Sequence, residues 1–200
     1  MVREWDPRTA SSAEIESLVD TLNAVFTAEV PEDPLWQADS LREYLSETMP
    51  GERRLAWNVE VDPAEPEQPP RIVGHLNVLL LGDLGVIELF VHPDYRRQGL
   101  ARALLRVAAR RVWEEGFSSL GVEVIGGTSA VPFYESLGFT REYVEIRSVL
   151  PLSTVDWAAL EQMVTDIHPG YRIEFYTGKP PEELLEAYAR TKAEDRKSVV

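Results

Sequence analysis

The residues best suited to chemistry stand together in one stretch, Val86-Ile87-Glu88-Leu89-Phe90-Val91-His92-Pro93-Asp94-Tyr95-Arg96-Arg97-Gln98-Gly99-Leu100-Ala101-Arg102. It begins as a β-branched and apolar run, breaks at His92-Pro93-Asp94 and restarts as an amphipathic helix. Leu100, Ala101, Leu104, Leu105, Ala108 and Val112 then recur at helical spacing. Between strand and helix stands Gly99, where a backbone can approach a ligand closely, with small Ala101 just behind it. The amides of a helix's first turn lack intrahelical acceptors and lie at the positive end of its dipole. Arg96, Arg97 and Arg102 add charge around them. Such a turn is suited to holding a phosphate or pyrophosphate.

The elements that must position this turn follow from periodicity. Val2 to Trp5 suits a short strand, and Ser11 with Glu14 forms a capping box before Ile15, Leu18, Val19, Leu22 and Phe26. Ser40 with Glu43 is expected to cap a second helix through Leu41, Tyr44 and Leu45, ended by Pro50-Gly51. Arg54 to Val61 and Ile72 to Leu81 read as strands around a proline-rich acidic loop at 62–70. Gly82-Asp83-Leu84-Gly85 turns the second of them into the opening stretch as an antiparallel hairpin. After the central helix, Leu120 to Ile125 is expected to run parallel to Glu88–Val91 through the helical crossover. A short helix at Ala130 to Leu137 and a long strand at Arg141 to Leu150 follow. The first 152 residues therefore read as a mixed α/β sheet with helices on both faces.

Composition narrows the partners. Two hundred residues suit one domain with a smaller appendage, and 44% hydrophobic with 27% charged residues describe an ordinary globular chain. A net charge of −14 argues against nucleic acid, whose phosphates would be repelled, and is compatible with steering a cationic substrate. No apolar run reaches membrane-spanning length, and the N-terminus lacks a signal peptide's apolar core, so a cytoplasmic location is expected. There are no cysteines, and the three histidines at 75, 92 and 168 form no ligand pair, so no metal is expected.

Arg96-x-x-Gly99-x-Ala101 between a strand and a helix resembles the acetyl-CoA-binding motif of the GNAT superfamily of N-acetyltransferases. Ala130-Val131-Pro132-Phe133-Tyr134-Glu135-Ser136-Leu137-Gly138-Phe139 resembles that family's second motif, and the two stand in the family's order with strand, helix and strand around them. The likeness covers residues 1–152. It implies the acyl-CoA N-acyltransferase fold: a mixed, mostly antiparallel central sheet with a parallel splayed strand pair, flanked by helices. The chain adds a helix–strand–helix C-terminal extension at 153–200, its first helix expected over Ser153 to Ile167.

The resemblance also implies roles. The pantetheine arm of acetyl-CoA would pair with strand backbone at Leu89, Phe90 and Val91. Its pyrophosphate would meet Arg96, Arg97, Gln98, Gly99, Leu100, Ala101 and Arg102. Tyr134 matches the family's tyrosine near the cofactor sulfur, the proton donor to the departing thiolate. Glu88 and Glu123, carboxylates inside apolar strands, are the two candidates for the base that deprotonates an amine, and the choice stays open. The acceptor pocket would lie between the first two helices and the later strands, near Phe26, Asp33, Trp36 and Tyr44. The implied reaction is direct transfer of acetyl from acetyl-CoA to a primary amine, read as that of a small molecule. The alternative is a non-catalytic acyl-CoA-binding or regulatory module, or the scaffold half of a tandem acetyltransferase.

Two departures stand out. Gly127 occupies the place where many family members carry an Asn, leaving Thr128 or Ser129 to replace one cofactor contact. Thr140 to Leu150 offers no turn to divide it into the family's last two strands, so the sheet lacks a strand or borrows one, and a homodimer stays open. Tyr171 to Phe175 followed by the acidic helix from Pro181 repeats the strand–turn–helix order of the N-terminus, as in the incomplete start of a second GNAT repeat.

Overall fold

A computed structural model describes residues 1–62, 69–165, 170 and 173–197. The chain divides into two compact units, Met1–Thr140 and Arg141–Val200. The first holds one five-stranded sheet in the order β1 (Val2–Trp5), β2 (Arg53–Val61), β3 (Arg71–Leu81), β4 (Leu84–Val91), β5 (Ser119–Val122). The first four strands are antiparallel and β5 joins β4 in parallel, as a strand returning through a helical crossover must be able to do. This is the mixed α/β architecture expected from the sequence.

The two faces of the sheet are covered separately. Helices α1 (Ser12–Glu29) and α2 (Ala38–Ser46) share a core with Trp5, Ala56 and Ile72, which Phe90 joins. Helices α3 (Leu100–Glu114) and α4 (Ala130–Glu135) share the other core with Trp57, Val59, Leu76, Val78 and Ile87. Consecutive strand residues point to opposite faces, so β1, β2, β3 and β4 each contribute to both cores.

Local chemistry sets where α1 sits. Ser11 and Glu14 make the reciprocal capping box, with Ser11 N–H donating to Glu14 Oε2 at 2.9 Å. The β2–β3 register slips between Val59 and Glu60, and the loosened backbone of Ile72 is taken up by α1. Ile72 N–H donates to Ser17 Oγ at 2.8 Å, and the Thr21 hydroxyl donates to the Ile72 carbonyl at 2.5 Å. Asn23 then clamps the following loop, accepting from Trp36 N–H at 2.8 Å and donating to its carbonyl at 3.1 Å.

Four expectations need correction. Helix α2 starts earlier than Ser40: Gln37 occupies the N-cap without a side-chain bond, and Ser40 lies inside the helix. Strand β5 stops at Val122 rather than Ile125, and its parallel ladder runs along Leu84 to Ile87 of β4 rather than the expected Glu88 to Val91. Arg141 to Leu150 is not a strand: its apolar pattern suits a ladder, but among the described residues no strand pairs with it, and Tyr143, Val144, Ile146, Val149 and Leu150 are exposed. In the second unit, helix α5 (Trp157–Thr165) begins at Trp157 rather than Ser153, because Asp156 caps it through Ala159 N–H at 3.0 Å.

The second unit also contains α6 (Glu182–Lys197). Between its helices, Ile173 to Phe175 is not a strand, and the rest of that expected strand, Tyr171 and Arg172, lies outside the described residues. So do most of the expected loop at 62–70 and the expected helix end at 166–167. No helix among the described residues is long and apolar enough to cross a membrane.

Candidate active site

The stretch singled out by sequence runs along β4 and into α3. The β4–β5 ladder has its last rung at Ile87 and Val122. Beyond it, Glu88 to Val91 remain paired with Asn77 to Gly74 of β3, and among the described residues their other edge has no strand partner. That edge therefore offers unpaired backbone donors and acceptors. Glu88 and Glu123 are the pair that would form the next rung, at the point where the strands part. Glu123 lies just past β5, exposed, rather than inside the strand.

The far end of β4 leads into a cradle of amides. A 3-10 turn at Pro93–Tyr95 is followed by Arg97 at φ 63° and Gly99 at φ 82°. Left-handed geometry at Gly99 strains any side chain, although nothing lies within 4 Å of where a Cβ would stand. Gly99 is the N-cap of α3 and has no side chain to occupy the helix's first amides. Its carbonyl starts the helix, accepting from Ala103 N–H at 3.0 Å. Arg97, Gln98, Gly99 and Arg102 are exposed around this helix end, with Leu100 and Ala101 half-buried.

Arg96 is engaged differently from its neighbours. Its Nε donates to the Val91 carbonyl at 3.1 Å, and its Nη1 pairs with Glu29 at 2.8 Å. It ties the turn to the end of α1 and to the free edge of β4. Thr128 donates its hydroxyl to the Ile125 carbonyl at 2.7 Å within its own loop. Gly127 beside it has φ 82°, a left-handed conformation that glycine and asparagine adopt most readily.

Glu88 faces α1 and α2 together with Phe90, whereas Ile87 and Leu89 face α3. Three groups surround its carboxylate. The Tyr44 hydroxyl donates to Oε1 at 2.5 Å, and Asn77 Nδ2 donates to Oε2 at 2.8 Å. Arg54 lies 3.7 Å from Oε2, with its guanidinium 4.9 Å from the centre of the Tyr44 ring. Burial, and then the bond to Glu88, push the Tyr44 hydroxyl up to about 12. His75 stands behind Asn77, fully enclosed. The expected pocket residues are close by: the Trp36 ring packs tilted against Tyr44 at 5.4 Å, and Phe26 against Phe90 at 6.2 Å. Asp33 is half-buried in the same loop as Trp36.

Tyr134 belongs to the other face. It is buried in α4 between Phe133 and Phe139, each ring 5.1 Å away. Burial raises its hydroxyl well above the ordinary phenol range, so it stays protonated at neutral pH.

Sequence reasoning named Tyr44 and Glu88 but not Arg54, Asn58, His75 or Asn77. A signal for them existed. His75 and Asn77 are polar residues two apart inside an otherwise apolar strand, and Arg54 and Asn58 share one face of β2. Among the described residues no cluster of His, Cys, Asp or Glu is arranged to hold a metal ion.

Comparison with known proteins agrees with this geometry. Residues 56–141 match the family model of the acetyltransferase (GNAT) domain. Over 64 residues the chain is 39% identical to the [ribosomal protein bS18]-alanine N-acetyltransferase of Escherichia coli K12. That alignment covers 32% of this chain, which spans only 43% of the relative's length. An aminoglycoside acetyltransferase from an uncultured soil metagenomic sample, solved with sisomicin, shares the fold at TM-score 0.55 and 19% identity, over 76% of this chain and 96% of that one. A tandem GNAT protein from the clavulanic acid biosynthesis pathway does so at TM-score 0.55 and 18% identity, over 69% of this chain and 43% of its own. The stretch that matches the acetyltransferase (GNAT) domain, residues 56–141, contains the splayed β4–β5 pair and the turn into α3.

Proposed function

We propose that the protein transfers the acetyl group of acetyl-CoA directly to the primary amine of a small molecule. The observation that carries this reading is the end of the β4–β5 ladder at Ile87 and Val122. It leaves one strand with a free backbone edge, a carboxylate at the start of that edge and an amide cradle beyond its end. In this reading Leu89, Phe90 and Val91 pair with the pantetheine amides, and the turn from Arg97 to Arg102 receives the pyrophosphate. Arg96 holds that turn in place, and the Thr128 loop stands in for the family's asparagine.

Glu88 is the base we favour over Glu123, because Tyr44, Asn77 and Arg54 hold its carboxylate in one orientation. The amine nitrogen attacks the thioester carbonyl, an N–C bond forms and the C–S bond breaks. The amine's proton passes to Glu88, directly or through water, and Tyr134 gives its proton to the departing thiolate. A phenol that burial keeps protonated suits that donor role.

The acceptor pocket combines a carboxylate with the aromatic rings of Trp36, Tyr44 and Phe26, which suits a small amine. The relatives named for acting on ribosomal protein bS18 alanine and on aminoglycosides mark the range of amines worth testing. Calorimetric titration is expected to show acetyl-CoA binding to the native chain and its loss in Gly99→Asp at unchanged secondary structure. Equal affinity in the two proteins would overturn the cofactor assignment. Thiol release from acetyl-CoA across a panel of amines then separates a transferase from a module that only binds acyl-CoA.

A further inference from the structure

The carboxylate of Glu88 is the near end of a polar string that crosses three strands on one face of the sheet. Asn58 of β2 stands opposite His75 of β3, and Asn77 of β3 stands opposite Glu88 of β4. Asn58 and Asn77 are buried, as is His75 with its ring edge-on to Trp5 at 5.5 Å. Buried polar groups in a sheet face that could have been aliphatic are costly, and Asn58 Nδ2 has no partner among the described residues.

The hydrogen bonds along the string have one consistent polarity. Asn58 Oδ1 lies 2.7 Å from His75 Nδ1, so that ring nitrogen carries the proton. His75 Nε2 is then a bare acceptor, and it faces Asn77 Nδ2 at 3.4 Å. Asn77 Oδ1 is held by Arg54 Nη1, and its remaining amide hydrogen points at Glu88 Oε2, 2.8 Å away. Turning the Asn77 amide over would set its oxygen against both the carboxylate and the imidazole lone pair. It would also set its NH2 against the guanidinium. Asn77 can therefore only donate toward Glu88.

We propose that His75, fixed by Asn58, is a positioning residue that locks Asn77 as a donor to Glu88 and so holds the catalytic carboxylate in its working orientation. The proposal rests on the reading of Glu88 as the base. Burial pushes the imidazole down to about 3, which keeps Nε2 bare across the range in which acetyl transfer to an amine proceeds. The other charged or titratable groups around Glu88 are Tyr44 from α2, Arg54 from β2 and Glu123 just past the end of β5. None of them replaces the amide that His75 holds in place.

Two substitutions separate the ends of the imidazole. His75→Asn keeps a group opposite Asn58 but is too short to reach Asn77, whereas His75→Gln can present its carbonyl oxygen toward Asn77. With acetyl-CoA and the best amine of the panel, His75→Asn is expected to lower kcat tenfold or more with KM within twofold. It should also shift the acidic limb of kcat/KM to higher pH, and His75→Gln should recover most of the loss. Equal kinetics in the two variants would overturn the relay. Should His75→Asn not fold, Asn77→Asp decides, since a carboxylate facing Glu88 must move that limb upward and an unmoved limb rejects the proposal. Ring ¹⁵N shifts of His75 in the native protein supply a readout free of turnover. Protonated Nδ1 with bare Nε2 supports the relay, and the opposite tautomer refutes it. The underlying reading is tested apart from these, because an acidic limb that survives in Glu88→Gln rejects Glu88 as base whatever His75 does.

Discussion

The two faces of this sheet are made from the same strands yet obey different rules. Against α3 and α4, Trp57, Val59, Leu76, Val78 and Ile87 meet Leu104, Leu105, Ala108 and Val112 in a core of apolar side chains. Against α1 and α2, the alternate residues of β2, β3 and β4 include Arg54, Asn58, His75, Asn77 and Glu88. Trp5 Nε1, Arg54 Nε and Asn58 Nδ2 are buried there without partners among the described residues. Each such atom costs about 1–3 kcal/mol. Apolar burial on both faces offsets that burden, Ile15, Leu18, Leu41 and Ile72 contributing on the α1/α2 side. The α3 face is apolar through its core, whereas the α1/α2 face sets beside its own core a polar string that fixes a carboxylate.

The sharpest test of this division is Glu88→Gln, which removes the charge and keeps the shape. Loss of a general base costs about 10²–10⁴ in rate, so kcat should fall by that factor while the melting temperature holds or rises. A fall in stability without loss of kcat would reverse the roles assigned to the faces. On the other side, Leu104 is fully enclosed, and Leu104→Ala should cost about 2–5 kcal/mol in denaturant unfolding. Its folded fraction should still bind acetyl-CoA and turn over near the native rate.

A smaller effect belongs to His75 and shows in acid. Its folded pKa, about 3, lies below the ordinary value of 6.5, so between these limits the unfolded chain binds more protons than the folded one. The native state is then fully favoured above pH 6.5 and loses stability as pH falls toward 3, by at most about 1.4 kcal/mol per pH unit. The comparison is cleanest between pH 6.5 and 4.5, above the usual carboxylate range, where His75→Gln should show a shallower slope than the native protein. Parallel slopes would mean that His75 is not buried neutral. The smallest expected change is that of Glu123→Gln, which is exposed beyond β5 and should alter kcat less than about tenfold. A loss matching that of Glu88→Gln would move the base to the β5 side of the splay.

Legibility in the sequence followed the range of the interactions. The Ser11–Glu14 box, the hairpin at Gly82 and the Gly99 turn opening α3 all depend on residues within a few positions of one another. All three were readable, and so was the parallel sense of β5, but its register along Leu84 to Ile87 was not. The start of α2 was missed because an N-cap can be filled by a residue with no capping side chain, as Gln37 does. Arg141 to Leu150 shows the opposite failure: its apolar pattern suits a strand, but a pattern cannot supply a neighbouring ladder.

The chain's sequence alone determined the strand–turn–helix at Arg96 to Arg102, the order of strands and helices around it and the candidates Glu88, Glu123 and Tyr134. These rest on local spacing, turn chemistry and the recurrence of a family's two motifs. Only the tertiary structure decided which polar residues meet. Asn58 lies opposite His75, and Asn77 opposite Glu88, through cross-strand register, while Tyr44 reaches the same carboxylate from a helix packed over the sheet. It also decided that β5 ends one residue before Glu123, so that one carboxylate is held by Tyr44, Asn77 and Arg54 and the other is exposed. Register and splay are properties of paired strands, and a single strand's sequence carries no record of where its neighbour stops.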